Sequence, residues 1–199
     1  MVNIWASIVH LSDEYFSGAS DAGMPDLDFL ICEGLRNATL NRQTWMINPM
    51  WKNPGTTATL LRESYNEMKN TIESYLVLVT PGFADAQNKV PVGLFESQLN
   101  ELTMRARVFN KRAIMVLLGI PQNCPKEIAD TIKKYNEVTK SVTQKYDGVL
   151  IDLSGIKYEA WSPKGSRPAD LREVSLRIVE GIMECHSCNS KWKENRNMK

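Results

Sequence analysis

Hydrolysis through a side-chain nucleophile needs a hydroxyl or thiol, a base to take its proton, an acid to orient that base, and donors for the oxyanion. Few residues of this chain could fill those roles, because it contains only two histidines. His10 ends an apolar run near the start, and Ser12, two residues later, would lack an activating partner. The simpler reading of His10 is a strand-end histidine satisfied by its neighbours. His186 sits in Cys185-His186-Ser187-Cys188, several helical turns beyond Pro168 at about 1.5 Å per residue, and cannot serve a site at the start of that helix. A single Cys-x-x-Cys does not make a structural zinc site, which needs four ligands. Cys32 and Cys124 offer no matching spacing, so the pair reads as reduced, helix-terminal cysteines. Asp13-Glu14, Asp26 and Asp28 read as solvated loop carboxylates, and no metal is expected.

The cations form the stronger pattern. Arg36 and Arg42 lie in GLRNATLNRQTW, Lys52 follows Trp51, and Lys164 and Arg167 lie in SPKGSRPAD, just ahead of a helical pattern whose free N–H groups also favour anions. Guanidinium forks and aromatics such as Trp45 and Trp51 suit phosphates and unstacked bases. These five cations are the candidate RNA-binding residues, with solubilising surface charge as the bland alternative. A third reading makes the Asn41–Gly55 stretch a docking loop for a protein partner through Trp45, Met46, Met50 and Trp51.

The 199 residues suffice for one well-buried domain, with 43% apolar and 24% charged residues and a formal net charge of +1. An anion site must therefore come from local clustering. No apolar run is long enough to span a membrane, and the opening MVNIWASIVHL has neither a basic region nor a small-residue cleavage site, so no signal peptide is expected. Cysteines in apolar or helical surroundings fit a reducing compartment. With neither G-x-G-x-x-G nor G-x-x-x-x-G-K-[ST] present, no nucleotide cofactor is expected.

The elements that must position these residues alternate in type. Strands are expected at Ile4–His10, Leu27–Cys32, Tyr75–Thr80, Ala113–Leu118 and Val149–Leu153, the last three as continuous apolar runs covered on both faces. Helical spacing links Leu60, Leu61, Tyr65, Met68 and Ile72, then Leu99, Leu102, Ala106 and Phe109. It recurs at Ile128, Ile132, Tyr135, Val138 and Val142, and at Leu171, Val174, Ile178 and Ile182. Asn41–Gly55 reads as an extended surface loop, and Asn189–Lys199 as a polar basic tail after a single domain over 1–188. This order predicts a three-layer α/β/α fold with a parallel five-stranded sheet. Ligands in such folds sit beyond the carboxyl ends of the strands, which gathers Leu11–Ser17, Gly34–Arg42, Pro81–Asn88, Ile120–Pro125 and Ser154–Arg167 on one edge.

Two segments resemble the SGNH (GDSL-type) hydrolases, whose sheet is flavodoxin-like. YLVLVTPGFAD ends where that family reads G-x-N-D, and SPKGSRPAD lies where it reads D-x-x-H. On this alignment Ala84 replaces the oxyanion-hole Asn, Lys164 and Arg167 replace the triad Asp and His, and Ser12 falls at the nucleophile. YLVLVTPGFADAQ, RAIMVLLGIPQN, YDGVLIDLSGI and SRPADLREVSLRIVEGI together resemble, over essentially the whole chain, the OSK domains of the Oskar family of insect germ plasm organisers. That resemblance implies an SGNH-like fold without the catalytic residues. It implies binding of messenger RNA, no small-molecule substrate, and a place with germ plasm proteins in cytoplasmic germ plasm granules. A residual esterase using Ser12 is the enzymatic alternative.

Overall fold

A computed structural model of the chain describes residues 4–13, 26–40, 43–52, 55–70, 74–80, 82–121, 124, 126–156, 158–161, 165–168 and 171–188. The elements run β1 (Ile4–Asp13), α1 (Leu27–Ala38), β2 (Gln43–Lys52), α2 (Thr57–Asn70), β3 (Leu76–Thr80), α3 (Phe83–Gln87), α4 (Val92–Phe109), β4 (Ile114–Leu118), α5 (Lys126–Lys145), β5 (Val149–Ile151), β6 (Tyr158–Trp161), β7 (Gly165–Pro168) and α6 (Leu171–Cys188). β1 to β5 form one sheet in the order β2-β1-β3-β4-β5, parallel at every pairing. This is the flavodoxin-like order. α1 packs on α6 over one face, while α4 packs between α2 and α5 over the other, which completes the three layers. β3 is buried at every position and β4 at all but its first, as parallel strands covered on both faces must be.

Two expectations fail, and they fail together. Leu27–Cys32 is the start of a helix and not a strand. Leu27, Ile31 and Leu35 recur every four residues and are all buried. Asp26 caps the helix by accepting a 2.7 Å bond from the Phe29 amide, a favourable start that an apolar count overlooks. The second strand is instead Gln43–Lys52, inside the supposed Asn41–Gly55 loop. It pairs along its whole length with β1, from Ile4 opposite Gln43 to Asp13 opposite Lys52. Its Pro49 disguises it, but β2 is an outer strand, and an outer strand tolerates a residue without an N–H. Trp45 and Met50 are buried, and Trp45 sets its ring edge-on to Tyr75 at 5.8 Å, so neither is the exposed docking or base-stacking side chain expected of them. Met46 is exposed.

Close approach of the elements depends on glycine, as at Gly34 and Gly82. Gly34 meets α6 so tightly that a Cβ there would lie 2.8 Å from Val179 Cγ2. Gly82 has φ +110 and room for no Cβ beside Ile120, and it turns the chain from β3 into α3.

The amino ends of β3, β4 and β5 are tied to one another by two side chains. Asn110 Oδ1 accepts a 2.8 Å bond from the Ser74 amide. Arg107 donates to the Ala113 carbonyl at 2.7 Å and the Tyr146 carbonyl at 3.0 Å. Replacing Arg107 with Met keeps the apolar stem and deletes both bonds. Unfolding free energy should drop by about 2 kcal/mol, reduced from the fully buried value by the partial exposure of the group. Urea denaturation followed by circular dichroism measures it, and an unmoved midpoint would show that the clamp contributes nothing.

Candidate functional site

At the carboxyl end of β1, alternate residues face α1. His10 and Ser12 share that face, and the parallel register brings Thr80 of β3 beside Ser12. Asp28, in the first turn of α1, completes the group. His10 Nδ1 lies 2.6 Å from Asp28 Oδ1, and His10 Nε2 lies 3.2 Å from Thr80 Oγ1. An ionised carboxylate only accepts, so Nδ1 carries the proton in that bond. With a neutral ring, the Thr80 hydroxyl donates to Nε2. With a charged ring, Nε2–H donates to Thr80, whose hydroxyl can then turn to the Leu11 carbonyl at 3.5 Å.

The chain Asp28–His10–Thr80 thus has the order of acid, imidazole and hydroxyl found in hydrolytic triads. It is closed to substrate in this conformation, because His10 is 1%, Ser12 1% and Thr80 0% exposed. Only Asp28 reaches solvent, with 21% of its side chain exposed. One turn further along α1, burial and then the charge of Asp28 push the Cys32 thiol up to about 11, so it is no nucleophile at neutral pH.

Next along the edge, β3 leads through Gly82 into α3. Ala84 is buried there and its side chain is a methyl group with no donor to offer. Its neighbour Asp85 is 0% exposed and caps the start of α2. Asp85 Oδ2 accepts from the Thr57 amide at 2.9 Å and the Thr57 hydroxyl at 2.8 Å. Burial raises the Asp85 pKa above the ordinary carboxylate value, and the two Thr57 bonds oppose that rise. Close by, Tyr135 stacks on Phe95 at 4.0 Å and donates to the Val90 carbonyl at 2.5 Å. Burial, then the Asp85 charge, raises the Tyr135 pKa as well.

Of the expected cations, Arg36 does not lie on this edge. α1 ends at Ala38, so Arg36, exposed in its last turn, lies at the opposite, amino end of the sheet. The segment Gly34–Arg42 therefore leaves the carboxyl-edge group: a helix of this length carries the chain about 18 Å back across the sheet. Arg42 itself lies outside the described residues, as does Lys164. Lys52 ends β2 at the carboxyl edge, in register with Asp13. Arg167 is in the β6–β7 ribbon that follows β5, where its register partner is Glu159. His186 lies in the last turn of α6, far from that helix's amino end. Among the described residues, no three His, Cys, Asp or Glu are grouped to hold a metal ion, and no helix is long and apolar enough to cross a membrane.

Sequence reading missed Asp28, Thr80, Asp85 and Thr57. Asp26-x-Asp28 ahead of a four-residue apolar period was the available signal for a capped helix with a second acid in its first turn.

No family model and no curated protein sequence matches the chain. Solved structures do match it in fold. TesA superposes with a TM-score of 0.67 at 16% identity, over 91% of this chain and 97% of its own. A family 3 carbohydrate esterase from Clostridium thermocellum gives 0.71 at 13% identity, over 90% of this chain and 96% of its own. A lipase/acylhydrolase from Enterococcus faecalis gives 0.67 at 17% identity, again over 90% and 96%. The fold is therefore that of the SGNH/GDSL-type hydrolases.

The raised Asp85 pKa has a defined consequence for stability. The folded state holds this proton more tightly than the unfolded state, so stability is greatest below the ordinary value of 3.8 and falls as pH rises through the raised one. Asp85→Asn removes that dependence. Its stability relative to the unsubstituted protein should improve between pH 4 and pH 7, as read from urea midpoints, and a difference independent of pH would refute the assignment.

Proposed function

We propose that this domain has kept a hydrolase fold, lost hydrolysis, and binds messenger RNA within cytoplasmic germ plasm granules. The observation that carries the loss is Ala84, buried at the start of α3, where the hydrolases' motif has its oxyanion-holding Asn. Without that donor a tetrahedral intermediate loses support that is typically a factor of ~10²–10³ in rate. The replacement of the triad Asp and His by Lys164 and Arg167 in the aligned sequence supports the same reading. RNA binding and the germ plasm setting, with germ plasm proteins as partners, rest on the likeness of four sequence segments to OSK domains. Arg36 and Arg42, bracketing the turn from α1 into β2, are the first proposed contacts. Lys52, Lys164 and Arg167 are proposed as further contacts.

A residual esterase remains as a second reading, because Asp28, His10 and Thr80 stand in triad order. The buried state of that chain argues against it. Short-chain aryl esters should be hydrolysed no faster than in buffer. Turnover that disappears in both Ser12→Ala and His10→Ala would sink the loss of chemistry and favour the esterase.

RNA affinity should fall linearly with salt on a double-logarithmic plot, since each phosphate contact releases counterions. The double substitution Arg36→Glu and Arg42→Glu should weaken binding strongly at low salt with little change in melting temperature. An unaltered titration with a folded double variant would remove this pair from the contact surface.

A further inference from the structure

We propose that the amino-end rim of the sheet, from β3 to β5, is a track for the phosphates of single-stranded RNA. This rests on the RNA reading above and moves most of the contact away from the old hydrolase edge. Three chain segments meet on this rim. The residues leading into β3 are bonded to Asn110, and the turns before β4 and β5 are bridged by Arg107. Arg107 also reaches the Lys111 carbonyl, at 3.5 Å. The rim is therefore a fixed shape, about 10 Å across two strand spacings.

Each of those segments brings cations. Lys69 is in the last turn of α2, and Lys145 ends α5. Lys111 and Arg112 form the turn between α4 and β4, and all four are exposed. Lys145 is braced by a 2.8 Å bond to Asn100 Oδ1 and by the Tyr146 ring, 5.5 Å away, so its ammonium is held against the side of α4, just in from the rim. Asp147 is the only acid among the described residues of these turns. Cations at helix carboxyl ends are favoured by the helix dipole alone, and that accounts for Lys69 and Lys145 one at a time. It does not account for a Lys-Arg pair in the adjoining turn, or for the side chains that lock the three segments together. The rim under α1 and α6 differs, because exposed Glu180 and Glu184 lie on the final turns of α6, beside the end of α1 that carries Arg36. Mixed charge there makes it the weaker part of an anion surface.

The test is fluorescence anisotropy of a labelled single-stranded oligoribonucleotide with the whole chain at low salt. Lys111→Glu with Lys145→Glu should weaken binding at least about ten-fold and flatten the salt slope by about 1.4, the value for two lost phosphate contacts on a single strand. Lys126→Glu, an exposed cation at the opposite end of α5, should change binding by less than about two-fold. If the wild-type protein binds RNA and the folded double variant binds equally well, the track lies elsewhere and only this inference falls. If the wild-type protein binds no RNA, the RNA reading itself falls and takes this inference with it. Should the glutamate pair not fold, the corresponding glutamine pair is read in the same way, together with ultraviolet cross-linking of RNA to the wild-type protein. Cross-links on peptides spanning 107–113 and 143–148 support the track, and their confinement to other peptides overturns it.

Discussion

Parallel strand direction is the constraint from which the rest of this structure follows. Strands that all point one way must be joined by helices that run back the other way, so every crossover helix starts at the carboxyl rim and ends at the amino rim. The helix dipoles then align, and the charges follow them. Asp28, Glu127 and Glu173 occupy first turns, while Arg36, Lys69, Arg107 and Lys145 occupy last turns. A chain with a formal net charge of +1 thus biases acids toward one rim and bases toward the other over α1, α2, α4 and α5, while α6 keeps Glu180 and Glu184 in its final turns. In such a molecule the question of where an anion binds is first a question about which rim.

At the carboxyl rim, the same constraint brings together an acid, an imidazole and a hydroxyl. His10 enters from the strand and not from the last loop, and it is held from below by Thr80 and from above by Asp28. Buried polar groups in a chain of this kind are costly unless every member has a partner, and here each does. The arrangement therefore works as a fixed strut between β1, β3 and the first turn of α1. Asp85 is a second strut, joining the start of α2 to α3. Groups with the chemistry for catalysis are thus committed to holding helices in place.

The sequence shows most of the architecture and much less of the site. β1, β3, β4 and β5 are legible as apolar runs and α2, α4, α5 and α6 as amphipathic stripes, because burial on one or two faces imposes those periods directly. α1 and β2 exchange roles against expectation for local reasons. The Phe-Leu-Ile-Cys run inside α1 reads as strand unless Asp26 is weighed as a cap, and Pro49 hides β2 unless the strand is known to be outermost. That single error moved Arg36 to the wrong rim, since a strand there would have carried the following loop to the carboxyl edge. The site partners are non-local: Asp28 and Thr80 come near His10 only through strand register and helix packing, and no spacing in the chain encodes that distance.

Pro49 has one more effect beyond its fit to an outer strand. β2 is ten residues long and, among the described residues, leaves one flank without a strand neighbour. Such a flank is a template on which another extended segment can add, whether from a second molecule or a misfolded one. A proline midway along it breaks the repeat of donors and leaves two short ladders in place of one long one. The domain thereby resists growing a sheet across molecules.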